Sequence, residues 1–300
     1  MPPDHVAGYP LDHLLAPNPA DQYNYLRDPV LVPTPDPASI PLDIQSPSMA
    51  QGLGLSCGGV LMVVPSWLKP FNVDVQDAIL KVLKDPGTAP LACFDADGTL
   101  WSMDIGEAFF RWLIAGDLLP NFRGEKEIYD RYEKEVEKSR ADGYFWAVST
   151  MAGIPVEDIV HWSKQMAYAW PNYRTAMHDL VLGLKAAGFE VWIVSATNKW
   201  TVTEGGKLIG FDPNQVIGMA AKVKDGVITT EPELPLVANA GKVEIIDRVI
   251  GRRPDLAFGD SKGDLEMLEY ARQAIVVGER SAPTSLLPVA KEKGWPVHEF

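Results

Sequence analysis

The fold and most of the function of this 300-residue chain are decided by one segment, Ala92-Cys-Phe-Asp-Ala-Asp-Gly-Thr-Leu-Trp101. The apolar run from Leu91 to Phe94 predicts a buried strand, which ends at two carboxylates, Asp95 and Asp97, before a Gly-Thr turn. Open α/β sheets bind their ligands at such carboxyl ends of strands. Because buried carboxylates cost desolvation energy, the pair predicts a cation or a reaction at this point.

The spacing of the two aspartates fits phosphoryl transfer. Asp95 would attack phosphorus as the nucleophile, Asp97 would carry the proton, and Mg²⁺ would lie between carboxylate and phosphate. The alternative is an ordinary turn or helix-cap aspartate after a strand, with no catalytic role. Three further segments favour the catalytic interpretation.

Each of these segments places a polar side chain where a strand ends or a helix begins. Glu190 to Ser195 is an apolar strand that ends in a hydroxyl, and Lys242 opens a predicted helix. A strand and turn from Pro254 onward carry two acids, Asp260 and Asp264. Each feature alone has an ordinary explanation as a cap, a solvated lysine or a turn acid. Their common placement predicts one site at the carboxyl edge of a sheet.

In these four motifs the chain resembles the haloacid dehalogenase (HAD) superfamily. The motifs are Asp95-x-Asp97-Gly-Thr, Ser195, Lys242 and Gly259-Asp260-x-x-x-Asp264, and the similarity covers about residues 88–290. Dehalogenases of the superfamily lack an acid at the position of Asp97, whereas phosphatases and phosphotransferases have one. The resemblance therefore implies a phosphatase with a Rossmann-like core and a helical cap after the first motif, as in the phosphoserine phosphatase-like branch.

The resemblance also implies roles for individual residues. Catalysis would belong to Asp95, Asp97, Ser195 and Lys242. The Mg²⁺ ligands would be Asp95, the backbone carbonyl of Asp97 and Asp260, with Asp264 steadying them or binding the ion. Contacts to the substrate would come from Thr99, Asp104, Ser195, Ala196 and Lys242. The electrostatics agree, because four clustered carboxylates beside a phosphate would repel it strongly without a cation.

The segment after the first motif bears most directly on the choice of substrate. By alignment with phosphoserine phosphatases, Asp104 falls at their substrate-ammonium carboxylate, which implies an amine-bearing substrate of the phosphoserine, phosphocholine or phosphoethanolamine class. Five tryptophans are either an aromatic wall for a quaternary ammonium or the core of the cap: Trp101, Trp112, Trp146, Trp162 and Trp170. Ser195-Ala-Thr-Asn replaces the glycine-rich turn of phosphoserine phosphatases, which weakens the case for phosphoserine. The candidate partners of a substrate carboxylate are Arg111, Arg140 and Arg174.

The chain divides into three parts. Residues 1–70 are expected to form an N-terminal arm, since eleven prolines precede residue 49 and bulky aliphatics are few. Residues 71–100 and 174–300 are expected to form the α/β core. Because 99 residues separate Asp95 from Ser195, too many for one crossover helix, residues 101–173 are expected to form a helical cap.

Periodicity and turn signals place the remaining elements. The expected helices run over Val73–Leu83, around 105–113, over Glu125–Lys138, from Pro155 to Trp170, over Arg174–Ala187 and over about 200–209. A strand over 59–64, a hairpin turning at Asp225-Gly226 and two last parallel strands at 258–260 and 274–277 complete the expectation.

Composition excludes several functions. The net charge of −13 argues against nucleic acid and anionic membrane surfaces as partners, because both attract clustered Lys and Arg. Two cysteines and scattered histidines offer neither a disulfide scaffold nor a zinc motif. No stretch reaches the ~20 apolar residues of a membrane span and no signal peptide is recognisable, so we expect a cytoplasmic protein.

Three functions fit these observations. The first is a Mg²⁺-dependent phosphomonoester hydrolase that acts through an aspartyl phosphate on a small phosphorylated metabolite. The second is a phosphotransferase that hands the same phosphoryl group to an alcohol. The third is a catalytically silent protein that binds partners through its Pro-rich arm. The intact motif set favours the first two over the third.

Overall fold

A computed structural model describes residues 64–278 and 285–300 of the chain. The strands are β1 (Leu91–Phe94), β2 (Glu190–Asn198), β3 (Val216–Met219), β4 (Ala221–Lys224), β5 (Val227–Pro232), β6 (Leu256–Gly259), β7 (Gln273–Gly278) and β8 (Val297–Glu299). The helices are α1 (Val73–Lys84), α2 (Ile105–Ala115), α3 (Ile128–Lys138), α4 (Arg140–Ser149), α5 (Val156–Ala169), α6 (Thr175–Ala186), α7 (Lys199–Leu208), α8 (Ala240–Val249), α9 (Leu265–Tyr270) and α10 (Leu287–Lys293).

The main sheet has six strands in the order β3-β2-β1-β6-β7-β8, and every neighbouring pair is parallel. The predicted Rossmann-like α/β core is thereby confirmed. The chain leaves β1 toward β2 on one side and later returns to β6 on the other, so β1 and β6 flank the point where the strand order reverses. Sheets of this kind bind ligands at the carboxyl ends of those two strands.

The two strands at this point are anchored by the core. All four residues of β1 and all four of β6 are buried. The ring of Phe94 stacks on the ring of Phe258 with centroids 4.5 Å apart and planes within 3°. Burying two such side chains contributes on the order of 1.5–3 kcal/mol each. Asp95 and Asp260 directly follow these two strands, so their backbone positions are fixed by the packing of the core.

Between β1 and β2 the chain is helical, and the expected helices are confirmed within a few residues. The helix α4 was not predicted; it begins at Arg140, and only Ser139 separates it from the end of α3. The Ser139 side chain caps α4 by accepting from the backbone N–H of Asp142, 3.4 Å away. Gly143 lets α3 and α4 pack closely, since a Cβ there would lie 2.4 Å from the backbone nitrogen of Val136.

The predicted hairpin is also confirmed, with Asp225 and Gly226 both at positive φ, as a tight hairpin turn requires. It forms a two-stranded sheet of its own that is hydrogen-bonded to the loop between α4 and α5. Gly153 N donates to Ile228 O at 2.9 Å, and Val156 N donates to Gly226 O at 2.9 Å. The boundaries proposed for the cap (101–173) and the core (174–300) stay a prediction. The hairpin belongs to the second range but is hydrogen-bonded to the helical segment in the first.

The sheet continues beyond the last expected strand. The short strand β8 pairs with β7, with Val297 opposite Val276, and was not foreseen because it has only three residues. The predicted arm (1–70) lies outside the described residues except for 64–70, and the strand expected at 59–64 lies outside them except for residue 64. In the part of the chain that the structure describes, no helix has the length and apolar character needed to cross a bilayer.

Candidate active site

A buried lysine joins two of the predicted acids. Lys242, in the first turn of α8, places Nζ 2.6 Å from Asp95 Oδ1 and 2.6 Å from Asp264 Oδ1. Its side chain is 2 % exposed. Burial alone would lower the pKa of Lys242, but the charges of Asp264 and Asp95 raise it above its ordinary value. The lysine is therefore a permanent cation that fixes both carboxylates.

The carboxylates of Asp95, Asp260 and Asp264 form a cluster whose ligand oxygens all lie within 4.8 Å of one another. Burial and the charge of Asp264 raise the pKa of Asp95 to about 7, despite Lys242. Burial and the charges of Asp264 and Asp95 also raise the pKa of Asp260 well above its ordinary value. Clustered carboxylate oxygens that repel one another in this way suit a hard divalent cation such as Mg²⁺.

The second oxygen of Asp264 is already engaged. Its Oδ2 accepts hydrogen bonds from Ser261 N at 3.0 Å, Ser261 Oγ at 3.2 Å and Asp260 N at 3.3 Å. With Oδ1 held by Lys242, both oxygens of Asp264 have partners. Asp264 is thus suited to steadying the turn that presents Asp260.

The loop after β1 passes directly over Asp260. Gly98 has φ +79°, and a Cβ at this position would lie 2.4 Å from Asp260 Oδ2, so both the conformation and the close approach require glycine. The buried hydroxyl of Thr99 donates to Asp260 Oδ1 at 3.2 Å. Thr99, predicted to contact substrate, therefore contacts an acid of the cluster in this structure.

Asp97 lies beside the acid cluster but is held by other groups. Its Oδ1 accepts hydrogen bonds from Trp101 Nε1 at 2.7 Å and from the backbone N–H of Ile105 at 2.8 Å. The hydroxyl of Thr197 donates to its Oδ2. Burial raises the pKa of Asp97, and these three hydrogen bonds oppose that effect. Three donors thus fix the orientation of the candidate acid/base.

The strand β2 does not end at Ser195, as the sequence predicted, but continues through Ala196 to Asn198 with an irregular register against β3. Ser195 is buried, and its Oγ accepts from Thr197 N at 3.1 Å. The irregularity is what brings Thr197 to Asp97. Gly106 accommodates this approach, since a Cβ there would lie 2.7 Å from the Thr197 side chain.

Asp104 begins α2 as its N-cap, with Oδ1 accepting from Glu107 N at 2.7 Å. The residue is exposed to solvent. Desolvation by the neighbouring protein atoms, together with repulsion from Asp97 and Glu107, raises the pKa of Asp104 well above its ordinary value. The predicted substrate carboxylate therefore lies close to the acids of the first motif.

Glu107 belongs to a separate polar network on the helical segment. Its Oε1 accepts from Arg111 Nε at 3.0 Å and from Tyr129 OH at 2.6 Å. The Arg111 guanidinium also lies 3.4 Å from the centroid of the Tyr129 ring. Arg111 is thus committed to partners within the helical segment.

The five tryptophans contribute mainly to packing. Trp101, Trp112 and Trp170 are 0 %, 7 % and 6 % exposed. Trp112 stacks on Phe109 and meets Trp162 edge to face, and Trp146 contacts Phe110 in the same way. Trp101 is the one of the five that bonds to a predicted catalytic residue. These contacts favour the interpretation of the aromatics as the core of the helical segment.

The parallel sheet with this strand order and the lysine-bridged acid cluster at its carboxyl edge are those of a hydrolase with an α/β fold. A sequence model of the haloacid dehalogenase-like hydrolases matches residues 92–269, more than half of the chain. The chain belongs to the haloacid dehalogenase-like hydrolase family, which confirms the resemblance seen in its motifs.

Solved structures agree with the fold. A protein of unknown function from Bordetella pertussis aligns with a TM-score of 0.58 and 22% identity, over 71% of this chain and 99% of that one. A functionally unknown protein from Anaerococcus prevotii gives 0.57 and 16% over 76% and 92%. Cytosolic 5′-nucleotidase IIIB bound to cytidine gives 0.54 and 16% over 76% and 85%. At these identities the likeness is one of fold, and no curated protein matches the sequence.

Proposed function

We propose that this protein is a Mg²⁺-dependent phosphomonoester hydrolase that forms an aspartyl phosphate on Asp95. The observation that carries the proposal is the division of labour among the acids. Lys242 holds Asp95 beside Asp260, whereas N–H and O–H donors hold Asp97 apart from them. Hydrolysis of a phosphomonoester needs such a pair, a nucleophile and a separate acid/base.

In the proposed first step, a carboxylate oxygen of Asp95 forms a bond to phosphorus while the ester P–O bond breaks. The departing oxygen takes a proton from Asp97. In the second step, water gives a proton back to Asp97 and attacks phosphorus, which breaks the bond to Asp95 and releases phosphate. Lys242 keeps Asp95 in position and offsets the charge of the phosphoryl oxygens, and Ser195 binds one of these oxygens.

The hydrogen bonds of Asp97 determine which of its oxygens carries the proton. Oδ1 accepts from the indole of Trp101 and the amide of Ile105, which are donors only. Oδ2 faces the hydroxyl of Thr197, which can either donate or accept. The proton therefore belongs on Oδ2, and the Thr197 hydroxyl turns as Asp97 gains and loses it.

The residues present fit the cation that the family implies. Asp95 and Asp260 would hold Mg²⁺ together with the backbone carbonyl of Asp97, while Asp264, engaged by Lys242 and Ser261, would steady them. When bound, Mg²⁺ supplies charge neutralisation for the phosphate in a site that otherwise concentrates acids.

We further propose that the substrate is a small metabolite with a cationic group. Asp104 is exposed and is repelled by the charge of nearby Asp97, and an ammonium group on the substrate would relieve this repulsion. Its neighbour Glu107 is already neutralised by Arg111. The phosphoserine, phosphocholine and phosphoethanolamine class meets this requirement.

A panel of phosphorylated metabolites, assayed for phosphate release with and without Mg²⁺, tests the proposal. We expect turnover of amine-bearing phosphomonoesters with Mg²⁺ and none in EDTA. Asp95→Asn serves as the inactive variant. Asp247→Asn serves as the matched control, because Asp247 is an acid outside the cluster that accepts a hydrogen bond from Tyr270. If the phosphoryl group passes to an added acceptor alcohol in preference to water, the protein is a phosphotransferase and not a hydrolase. Full activity in chelator would refute the metal assignment.

A further inference from the structure

Arg174 contacts the catalytic loop at two points. Its backbone N donates to Leu100 O at 3.2 Å, and its guanidinium Nη2 donates to Gly98 O at 3.2 Å. Both acceptors lie in the turn that follows Asp97. The sequence had left Arg174 among the candidate partners of a substrate carboxylate, but this guanidinium contact is with the protein backbone.

A movement of the loop that Arg174 contacts would shift residues of the candidate active site. Gly98 adopts positive φ directly over Asp260, and its neighbours Asp97 and Thr99 carry the acid/base and a hydrogen bond to Asp260. A rotation of the Gly98 peptide would displace both side chains. A misplacement of about 1 Å in a catalytic group can cost on the order of 10²-fold in rate.

An aromatic ring lies against the same guanidinium. The centroid of the Phe300 ring is 4.2 Å from Arg174 Cζ, within the range of a cation–π interaction. Phe300 is 42 % exposed, so burial alone does not account for its position. Its backbone N donates to Gly278 O at 3.2 Å, at the end of β7, and its ring meets His298 at 4.7 Å.

The neighbours of Phe300 anchor it to the core. His298 packs on Phe71, which is 3 % exposed, with ring centroids 4.9 Å apart. The end of β7 lies close to the acid cluster, since a Cβ on Gly278 would be 3.0 Å from Asp260 Cβ. Phe300 therefore connects the sheet edge beside Asp260 with the arginine that holds Gly98.

We propose that Arg174 is a positioning residue for the catalytic loop and that Phe300 braces its guanidinium. Together they set the orientation of the Gly98 peptide, and through it the placement of Asp97 and Thr99 relative to Asp260. In this proposal both residues act through the loop and not on the substrate or the metal. This inference rests on the proposed function, because the loop matters for turnover only if Asp97 acts there.

Steady-state kinetics on four variants tests the proposal. Arg174→Gln should lower kcat about tenfold or more and leave KM within about twofold, because the loop shifts while the substrate contacts remain. Arg174→Lys should recover part of kcat. Phe300→Leu, which keeps apolar bulk without the ring face, should lower kcat several-fold, and Phe300→Trp should retain it.

Tyr168→Leu provides the matched control. Tyr168 is likewise an exposed aromatic, 55 % accessible, with Lys164 5.9 Å from its ring centroid on α5. We expect wild-type kinetics from it. A Phe300→Leu enzyme with wild-type kcat would overturn the brace, and an Arg174→Gln enzyme altered in KM alone would make Arg174 a substrate-binding residue instead.

Amide hydrogen exchange separates this inference from the proposed function. The amides of Thr99 and Leu100 both donate to Ala96 O, so their protection reports on the loop directly. Exchange over residues 96–102 should be faster in Arg174→Gln and Phe300→Leu than in wild type and Tyr168→Leu. If exchange is faster in these two variants but the wild-type protein has no phosphatase activity, the positioning role of Arg174 and Phe300 stands and the proposed function is wrong. Unchanged exchange in both variants would overturn the brace.

Discussion

The indole Nε1 of Trp101 donates a 2.7 Å hydrogen bond to Oδ1 of Asp97, four residues earlier in the chain. Trp101 is fully buried, and its ring meets Tyr173 edge to face at 5.6 Å. The tryptophan that follows the first motif thus bonds directly to the candidate acid/base, and its hydrogen bond can be removed while much of its aromatic bulk is kept.

Trp101→Phe should slow the hydrolysis of alkyl phosphates by on the order of tenfold, because a hydrogen bond to a charged group contributes about 1.5–3 kcal/mol. Hydrolysis of p-nitrophenyl phosphate should suffer less, since nitrophenolate leaves without a proton. The ratio of the two rates is the measurement. Trp112→Phe, at another buried tryptophan, is the control and should leave that ratio unchanged.

Asp97→Asn should show the same selectivity more strongly. General acid catalysis contributes about 10²–10⁴-fold, and an amide cannot supply the proton. We expect a loss of this order for alkyl phosphates and a much smaller one for p-nitrophenyl phosphate. Equal losses on the two substrates would make Asp97 a structural residue.

Asp95→Asn should abolish turnover, because a neutral amide neither attacks phosphorus nor binds Mg²⁺ well. The variant should remain folded, since Lys242 keeps its second carboxylate partner, Asp264. Phosphate release and the melting temperature are measured together. Turnover at the wild-type rate would exclude Asp95 as the nucleophile.

Mg²⁺ binding should strengthen as the pH rises. In the metal-free protein, burial and Asp264 raise the pKa of Asp95 to about 7, so a proton competes with the ion below that pH. Above it, the ionised carboxylates repel one another and the cation removes the penalty. The increase in Tm caused by Mg²⁺ should therefore be larger at pH 8 than at pH 5.5. A shift that is independent of pH would place the ion elsewhere.

Asp104→Ala should raise KM for the amine-bearing substrate by on the order of tenfold, since a charged hydrogen bond contributes roughly 1.5–3 kcal/mol. Activity on glycerol phosphate, which has no cation, should change little. Asp130→Ala, at an exposed position of α3, provides the control. Equal losses on charged and uncharged substrates would reduce Asp104 to its role as the N-cap of α2.

The positions of the motif residues follow from local sequence. Asp95 and Asp260 each come directly after a short apolar strand, and in a parallel sheet both strands end at the same edge, where β1 and β6 are neighbours. Lys242 lies in the first turn of a helix whose apolar residues Ile245 and Ile246 are buried, so the helix and its buried side can be predicted from local sequence.

The partners of Asp97 could not be predicted in this way. Thr197 reaches Asp97 because β2 runs irregularly past Ser195, which depends on its pairing with β3. The hydrogen bond of Trp101 depends on a loop conformation that no periodicity encodes. A signal for α4 was present, since Ser139 and Asp142 form the spacing typical of a helix start, but the apolar pattern of α3 obscured it.

The hairpin of β4 and β5 has a consequence for modularity. It comes after β2 in the chain, yet its backbone is bonded to the loop between α4 and α5. The helical segment is therefore joined to the rest of the protein by the hairpin as well as by its two chain connections. A chimera that exchanges only the stretch between β1 and α6 would leave Ile228 and Gly226 facing a surface that no longer pairs with them. Grafts between relatives should carry the hairpin and the helices together.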